Sequence, residues 1–296
     1  MTVMTKDPNP LAAFRAEIDN IDNAIHDLIM RRAEVVAEIA VAKSKSGDLN
    51  SSRGVAIRPG REAHIIRRLL ARHSGALPPA AIVRIWRELI SANIGMQGPF
   101  EVVMYGASES LSYWDVTRSH FGSVTPTSVY NSTAQVLSKV AEGKGVIGIL
   151  PAPGSGGPEG DWWPALAHAA VSDGNDGGVR IIARLPFVKS ATRTEPEMVA
   201  VATVDREFTG DDRTYLLLFC HNEMSRAAVR RLLIEHGVEA EPLDTGKFDK
   251  RLMLFEAAGY IAENDPRLTQ VLESPEKLIE RIRIAGGYAV PLQLQA

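Results

Sequence analysis

Apolar residues recur along the start of the chain at alternating spacings of three and four. Leu11, Phe14, Ile18, Ile21, Ile25 and Leu28 lead on to Val35, Ile39 and Ala42, with no Gly or Pro between them. That is the stripe of one helix packed against others, and it predicts a single helix over residues 11–45. Gly47, Gly54, Pro59 and Gly60 mark a loop. A second helix is predicted from Arg61 to Arg72, carrying Ile65, Ile66, Leu69 and Leu70. Pro78 and Pro79 suit the first turn of a third, where proline forfeits no hydrogen bond. It carries Val83, Trp86 and Ile90 and ends before Gly98-Pro99.

The pattern then changes. Glu101–Tyr105 reads as a short strand, VTPTSVYNSTAQVLSKVAEG as a strand and a helix, and GVIGILP as a buried strand. PAPGSGGPEGD is a Gly- and Pro-rich loop, VRIIARLPF and EMVAVATVD are strands, and DREFTGDDR reads as a polar linker. Alternating strands and helices imply an α/β unit. Beyond the linker, YLLLFC, VEAEPLD, RLMLFEAAGYI and YAVPLQL read as strands. SRAAVRRLLIEHG, stopped by Gly237, and DPRLTQVLESPEKLIERIRIAG read as helices. The order β-α-β-β-α-β is the ferredoxin-like arrangement.

Composition narrows the classes. Of 296 residues, 45% are hydrophobic and 23% charged, as in ordinary soluble proteins. A net charge of −3 with both signs dispersed speaks against a nucleic-acid partner. The single cysteine, Cys220, permits no intrachain disulfide, and His26, His221 and His236 show no metal-ligand spacing. MTVMTKDPNP has no apolar core of a leader, and no apolar run is long enough to span a membrane. The expectation is a cytoplasmic protein without metal, cofactor or membrane partner.

Candidate chemistry lies where the apolar stripe fails. Continuing the spacing from Leu28 lands on Arg32, from Ile90 on Asn93 and Gln97, and back from Ile65 on Glu62. Polar side chains from three helices therefore point where apolar ones belong. Burying an unpaired charge costs several kcal/mol, so these residues need each other, water or a ligand. Arg32 and Lys43 share a helix face about 16 Å apart. Arg61 and Glu62 open the next helix, whose N-terminus favours anions. Arg15 is 28 residues from Lys43, about 42 Å along a straight helix. Only an antiparallel helix of a second chain, or a sharp bend, could bring Arg15 to the same small site.

LAAFRAEIDNIDNAIHDLIMRRAEVVAEIAVAK, RPGRE and IWRELISANIGMQ resemble the all-α chorismate mutase family. More narrowly, they resemble the mutase domain of bifunctional chorismate mutase–prephenate dehydratases. The resemblance implies an intertwined homodimer in which Arg15 enters the partner's site. It implies that Arg15, Arg32 and Arg61 hold the two carboxylates of chorismate, Lys43 and Gln97 flank its ether oxygen, and Glu62 binds its ring hydroxyl. Two positions depart from the pattern: Arg58 stands near an aspartate of the resembling domain, and Asn93 at a serine. The connection from Lys43 to Arg61 is also longer. The reaction implied is the pericyclic conversion of chorismate to prephenate.

The whole layout resembles the bifunctional protein. It is read as a multidomain chain: an all-α mutase domain over 8–98, a shortened dehydratase-like α/β lobe over 100–206, and an ACT-like α+β domain over 213–295. The dehydratase Thr-Arg-Phe string is missing, Ala191-Thr192-Arg193-Thr194 being nearest. The middle stretch is too short for two lobes. An ACT-like domain implies an aromatic amino acid effector, although the Glu-Ser-Arg-Pro string is also missing. Trp162-Trp163 could cover a ligand or plug a lobe surface, and Cys220 reads as core. A bifunctional enzyme and a non-catalytic sensor of a shikimate-pathway ligand stand as alternative readings.

Overall fold

The computed structural model describes residues 10–46, 56–106, 110–155, 160–168, 178–190, 195–247 and 249–294. They belong to two compact units, Met1–Asp48 and Leu49–Ala296. The described residues of the first form a single helix, α1 (Pro10–Ser46), as the unbroken spacing predicts. Its apolar stripe is exposed: Phe14 by 60%, Ile21 by 51% and Leu28 by 70%.

The second unit opens with α2 (Pro59–Arg72) and α3 (Pro79–Gln97), each with proline in its first turn. Then follow β1 (Glu101–Tyr105), α4 (Ser110–Phe121), β2 (Thr127–Tyr130), α5 (Thr133–Glu142) and β3 (Val146–Pro151). A four-residue α6 (Ala165–His168) precedes β4 (Arg180–Leu185), β5 (Val188–Ser190) and β6 (Met198–Ala202). The chain ends with β7 (Asp212–Cys220), α7 (Arg226–Glu235), β8 (Ala240–Thr245), β9 (Leu252–Ala258), α8 (Pro266–Leu272), β10 (Ile279–Ala289) and β11 (Leu292–Leu294).

Nine strands form one sheet in the order β2-β1-β3-β6-β4-β10-β7-β9-β8. β1 is parallel to β2 and β3, whereas β6 runs antiparallel to both β3 and β4. The last four strands are antiparallel in the order β10-β7-β9-β8, which with α7 and α8 makes a split βαβ. The two halves of the sheet meet where β10 pairs in parallel with β4, Gly286 opposite Ile181. Gly286 has φ +136°, and a Cβ there would lie 2.2 Å from the Ile181 carbonyl oxygen. Glycine is what allows the strands to close at this point. Outside this sheet, β5 and β11 pair in parallel.

Strand alternation divides the interior into faces. On one face, Ala63 and Ile66 of α2 and Ile90 and Ile94 of α3 pack with Met104, Ile147, Ile182 and Met198 of the sheet. Helices α2 and α3 thus share one core with the sheet, and the sheet is continuous from β2 to β8. On another face, Val136 and Val140 of α5 share a core with Trp162, Trp163, Tyr215 and Leu254. Both tryptophans are buried; Trp162 donates to the Pro151 carbonyl and Trp163 to Asp244. Trp163 also lines a pocket with Pro164, Thr245 and Leu252. α7 and α8 pack on Leu216, Leu218 and Phe255.

Three expectations are corrected. The helix expected over DPRLTQVLESPEKLIERIRIAG stops at Leu272, and residues 279–289 are β10, because the central gap between β4 and β7 is filled by that segment. Tyr288 and Ala289 consequently close β10, leaving only Leu292–Leu294 of the expected final strand. DREFTGDDR is not a free linker: Thr209 is buried, and its backbone N–H and hydroxyl both donate to the buried carboxylate of Asp212. The structure also adds α4, where SLSYWDVTRSHF shows no regular apolar spacing. Gly47, Gly54 and residues 191–194 lie outside the described residues.

Candidate functional site

Arg15, Arg32 and Lys43 all lie on α1. Arg15 is exposed. Arg32 is half-buried, its Nη1 has no hydrogen-bond partner among the described residues, and burial lowers its pKa. The Lys43 side chain lies outside the described set. The other expected site residues belong to the second unit.

At the start of α2, Arg58 occupies the N-cap and makes no side-chain cap of its own. A carboxylate from far along the chain does so instead. Glu207 Oε2 accepts from the Arg61 backbone N–H at 3.0 Å, and Oε1 accepts from Arg58 Nε at 2.7 Å. This satisfies one of the free N–H groups at the helix end with a favourable negative charge. A Cβ on Gly60 would come within 2.6 Å of Glu207 Cβ, so glycine admits the close approach. The Arg61 side chain is exposed.

Glu62, one residue on, turns inward. Its carboxylate accepts from Arg87 Nη1 of α3 at 3.0 Å, and both side chains are almost wholly buried. Arg87 also lies over the Phe187 ring, 5.3 Å from its centre. Burial holds the Glu62 carboxyl above its ordinary pKa, partly offset by Arg87, while Glu207 adds to the rise. Burial likewise lowers the Arg87 pKa. His120 of α4 is buried and held well below its ordinary value by burial and by Arg87. It is therefore neutral near pH 7.

These groups line a narrow cleft of about 30 Å³, with Arg206, Glu207 and Tyr288 on its other walls. Arg206 stacks on Tyr260 at 4.6 Å and donates to the Ile261 carbonyl. Arg67 fastens α2 beside it, donating to the carbonyls of Thr209, Asp211 and Val290 and to the Thr209 hydroxyl. Asn93 and Gln97 lie farther along α3. Asn93 is buried, and its amide donates to the Leu89 carbonyl, while Gln97 donates to the carbonyl of Asn93. Gln97 is ten residues beyond Arg87, about 15 Å along the helix.

The structure thus gathers Arg58, Arg61 and Glu62 at one helix end and leaves Asn93 and Gln97 on the far part of α3. Sequence reasoning missed three participants. Arg87 falls between Val83, Ile90 and Ile94 at spacings of four, three and four, so the stripe itself marked it. Glu207 lay in a stretch read as a linker, and His120 on the unpredicted α4. Among the described residues, no group of three or more His, Cys, Asp or Glu could hold a metal ion, and no helix is long and apolar enough to cross a membrane.

Residues 14–98 match the family described as chorismate mutase type II. A bifunctional chorismate mutase/prephenate dehydratase of Stutzerimonas stutzeri is 28% identical over 141 residues, which cover 48% of this chain and 38% of that protein. Its counterpart in Pseudomonas aeruginosa is 26% identical over 146 residues, covering 49% and 39%. The match thus spans about two fifths of the length of these curated relatives. Among solved structures, a prephenate dehydratase from Streptococcus mutans superposes with a TM-score of 0.44 at 17% identity, over 66% of this chain and 100% of that one.

Proposed function

We propose that the protein is a chorismate mutase, converting chorismate to prephenate in the cytoplasm. The observation that carries this reading is the family match over residues 14–98. Within that span lie Arg15, Arg32, Lys43, Arg58, Arg61, Glu62, Asn93 and Gln97. Arg15 from a second chain, with Arg32 and Arg61, grips the two carboxylates, a task suited to the planar guanidinium fork. That grip holds the enolpyruvyl arm in the reactive geometry. Breaking the C–O bond builds negative charge on the ether oxygen. Lys43 and Gln97 stabilise it more in the transition state than in the ground state. Glu62 takes the ring hydroxyl, with Arg58 and Asn93 adjusting affinity. A pericyclic step asks for no nucleophile or general base.

The shared site requires a homodimer. The exposed stripe on α1 supports it, since those side chains are placed to pack on another helix. The division of labour is a mutase domain over 8–98, a dehydratase-like stretch over 100–206 and an ACT-like unit over 213–295 that takes an aromatic amino acid. The split βαβ order supports the last of these.

The test is incubation of the protein with chorismate and separation of every product over time. Prephenate alone, abolished by Arg32→Ala in a folded protein, is the expected result. No loss of chorismate refutes the proposal. The bifunctional relatives favour a second reading, in which dehydratase activity is present too. Phenylpyruvate appearing faster than prephenate decays would establish it.

A further inference from the structure

A second pocket, of about 300 Å³, lies between α3, α4 and the β5–β11 pair. That volume is at the small end of the range for organic ligands. Its lining joins apolar side chains, Val83, Val116 and Phe187, to the polar Arg84, Arg87 and His120. None of these is among the residues assigned to chorismate. Two of the polar groups are buried yet underused. His120 is 8% exposed, and among the described residues neither ring nitrogen has a hydrogen-bond partner. Being neutral, its ring offers one donor and one acceptor. Arg87 is 3% exposed, gives one N–H to Glu62, and makes no other hydrogen bond among the described residues. Buried donors without acceptors are costly, and folded proteins seldom leave them idle.

The charges around the pocket indicate what the acceptor carries. Arg87 is balanced by Glu62. Arg84 donates to the neutral Ser119 hydroxyl and pairs with no carboxylate among the described residues. Glu195 also lines the pocket and already has a partner of its own. One uncompensated guanidinium suits a single negative charge, and a carboxylate matches its planar fork. We infer that this pocket binds a small monocarboxylate with a compact apolar body. Arg84, Arg87 and His120 take the carboxylate, and the body lies against Val83, Val116 and Phe187. All of these residues belong to the second unit, and the inference does not depend on the mutase reading.

The experiment titrates the full-length protein with phenylacetate and with 4-methylpentanoate, one aromatic and one aliphatic acid, by calorimetry. Phenylacetamide serves as the uncharged counterpart. The ring-proton NMR signals of His120, assigned with His120→Asn, report where the probe sits. Both acids should bind and shift the His120 signals, and phenylacetamide should bind about tenfold more weakly for want of a charge-assisted contact. Arg84→Gln, at an exposed position, should weaken the acids about tenfold. Val83→Phe, at a half-buried position, fills the pocket and should abolish binding. Arg32→Ala, in the proposed chorismate site, should leave binding unchanged. Melting curves verify that each variant is folded. Failure of both acids to bind, equal binding of phenylacetamide, or binding that survives both pocket variants would overturn the inference. In the last case, loss of binding in Arg32→Ala would assign the acids to the chorismate site instead.

Discussion

Glu62 and Arg87 form a buried ion pair between α2 and α3. Its side chains are 11% and 4% exposed, so neither water nor salt screens them appreciably. Replacing Arg87 by Met keeps the side-chain bulk beside Phe187 but takes the balancing guanidinium away from a buried carboxylate, which keeps only its backbone hydrogen bond at Arg58. Removing one partner of such a pair costs about 3–5 kcal/mol. In a unit of this size that corresponds to a fall in melting temperature on the order of 10 °C. The pH dependence supplies a second check. The folded pKa of Glu62 already lies above its ordinary value of 4.5. A raised carboxyl stabilises fully below the unfolded value, and that stabilisation is lost as pH rises through the folded value. Arg87→Met raises the folded value further, so its penalty should be large at pH 7 and shrink on acidification towards pH 4.5. Glu62→Gln combined with Arg87→Met should recover most of the loss, because no buried charge remains. Urea unfolding followed by circular dichroism at several pH values reads all three effects. A single Arg87→Met variant within about 1 kcal/mol of wild type at pH 7 would refute the reasoning, since the pair must then be hydrated or open.

Other consequences can be measured as directly. Gly286→Ala places a Cβ against the Ile181 backbone at a positive φ, and should cost about 3 kcal/mol in urea unfolding. His120 has a folded pKa below its ordinary 6.5. Its contribution is thus present above that pH and lost as pH falls through the folded value. The stability gap between wild type and His120→Asn should accordingly narrow from pH 7 to pH 5, as unfolding titrations would show. Ile21→Glu, in the middle of the exposed α1 stripe, should convert the expected dimer to monomer in analytical ultracentrifugation. An unchanged sedimentation coefficient would mean the stripe is not the dimer seam.

What the sequence revealed depended on whether local pattern and long-range pairing agreed. α1, α2 and α3 were legible because spacing, prolines and terminal glycines all pointed the same way. The segment after Leu278 was not. Ile279, Ile282, Ile284 and the intervening Glu280, Arg281 and Arg283 suit a helix by composition, yet the segment pairs with β7 over most of its length. Tertiary pairing overrides a weak local preference. The positions of Glu62 and Asn93 were recognised as polar intruders, and both are buried, but their partners were not foreseen. Arg87 stood in the same stripe as Ile90 and was passed over because Trp86 beside it completed an apolar reading. Glu207 could not have been found from pattern at all. It acts across 146 residues, in a stretch whose composition suggests only solvent.

The central position of β10 sets a timetable for the nascent chain. β4 and β7 have no neighbour on one side until residues 279–289 have been synthesised. The ribosome adds residues at about 5–20 per second, so the interval from β4 to β10 is on the order of ten seconds. During it β7 presents an open edge carrying Tyr215, Leu216, Leu217 and Leu218, all destined to be fully buried. A translation pause after β7 has emerged, or a shortage of holdase chaperones, should therefore send this protein into inclusion bodies.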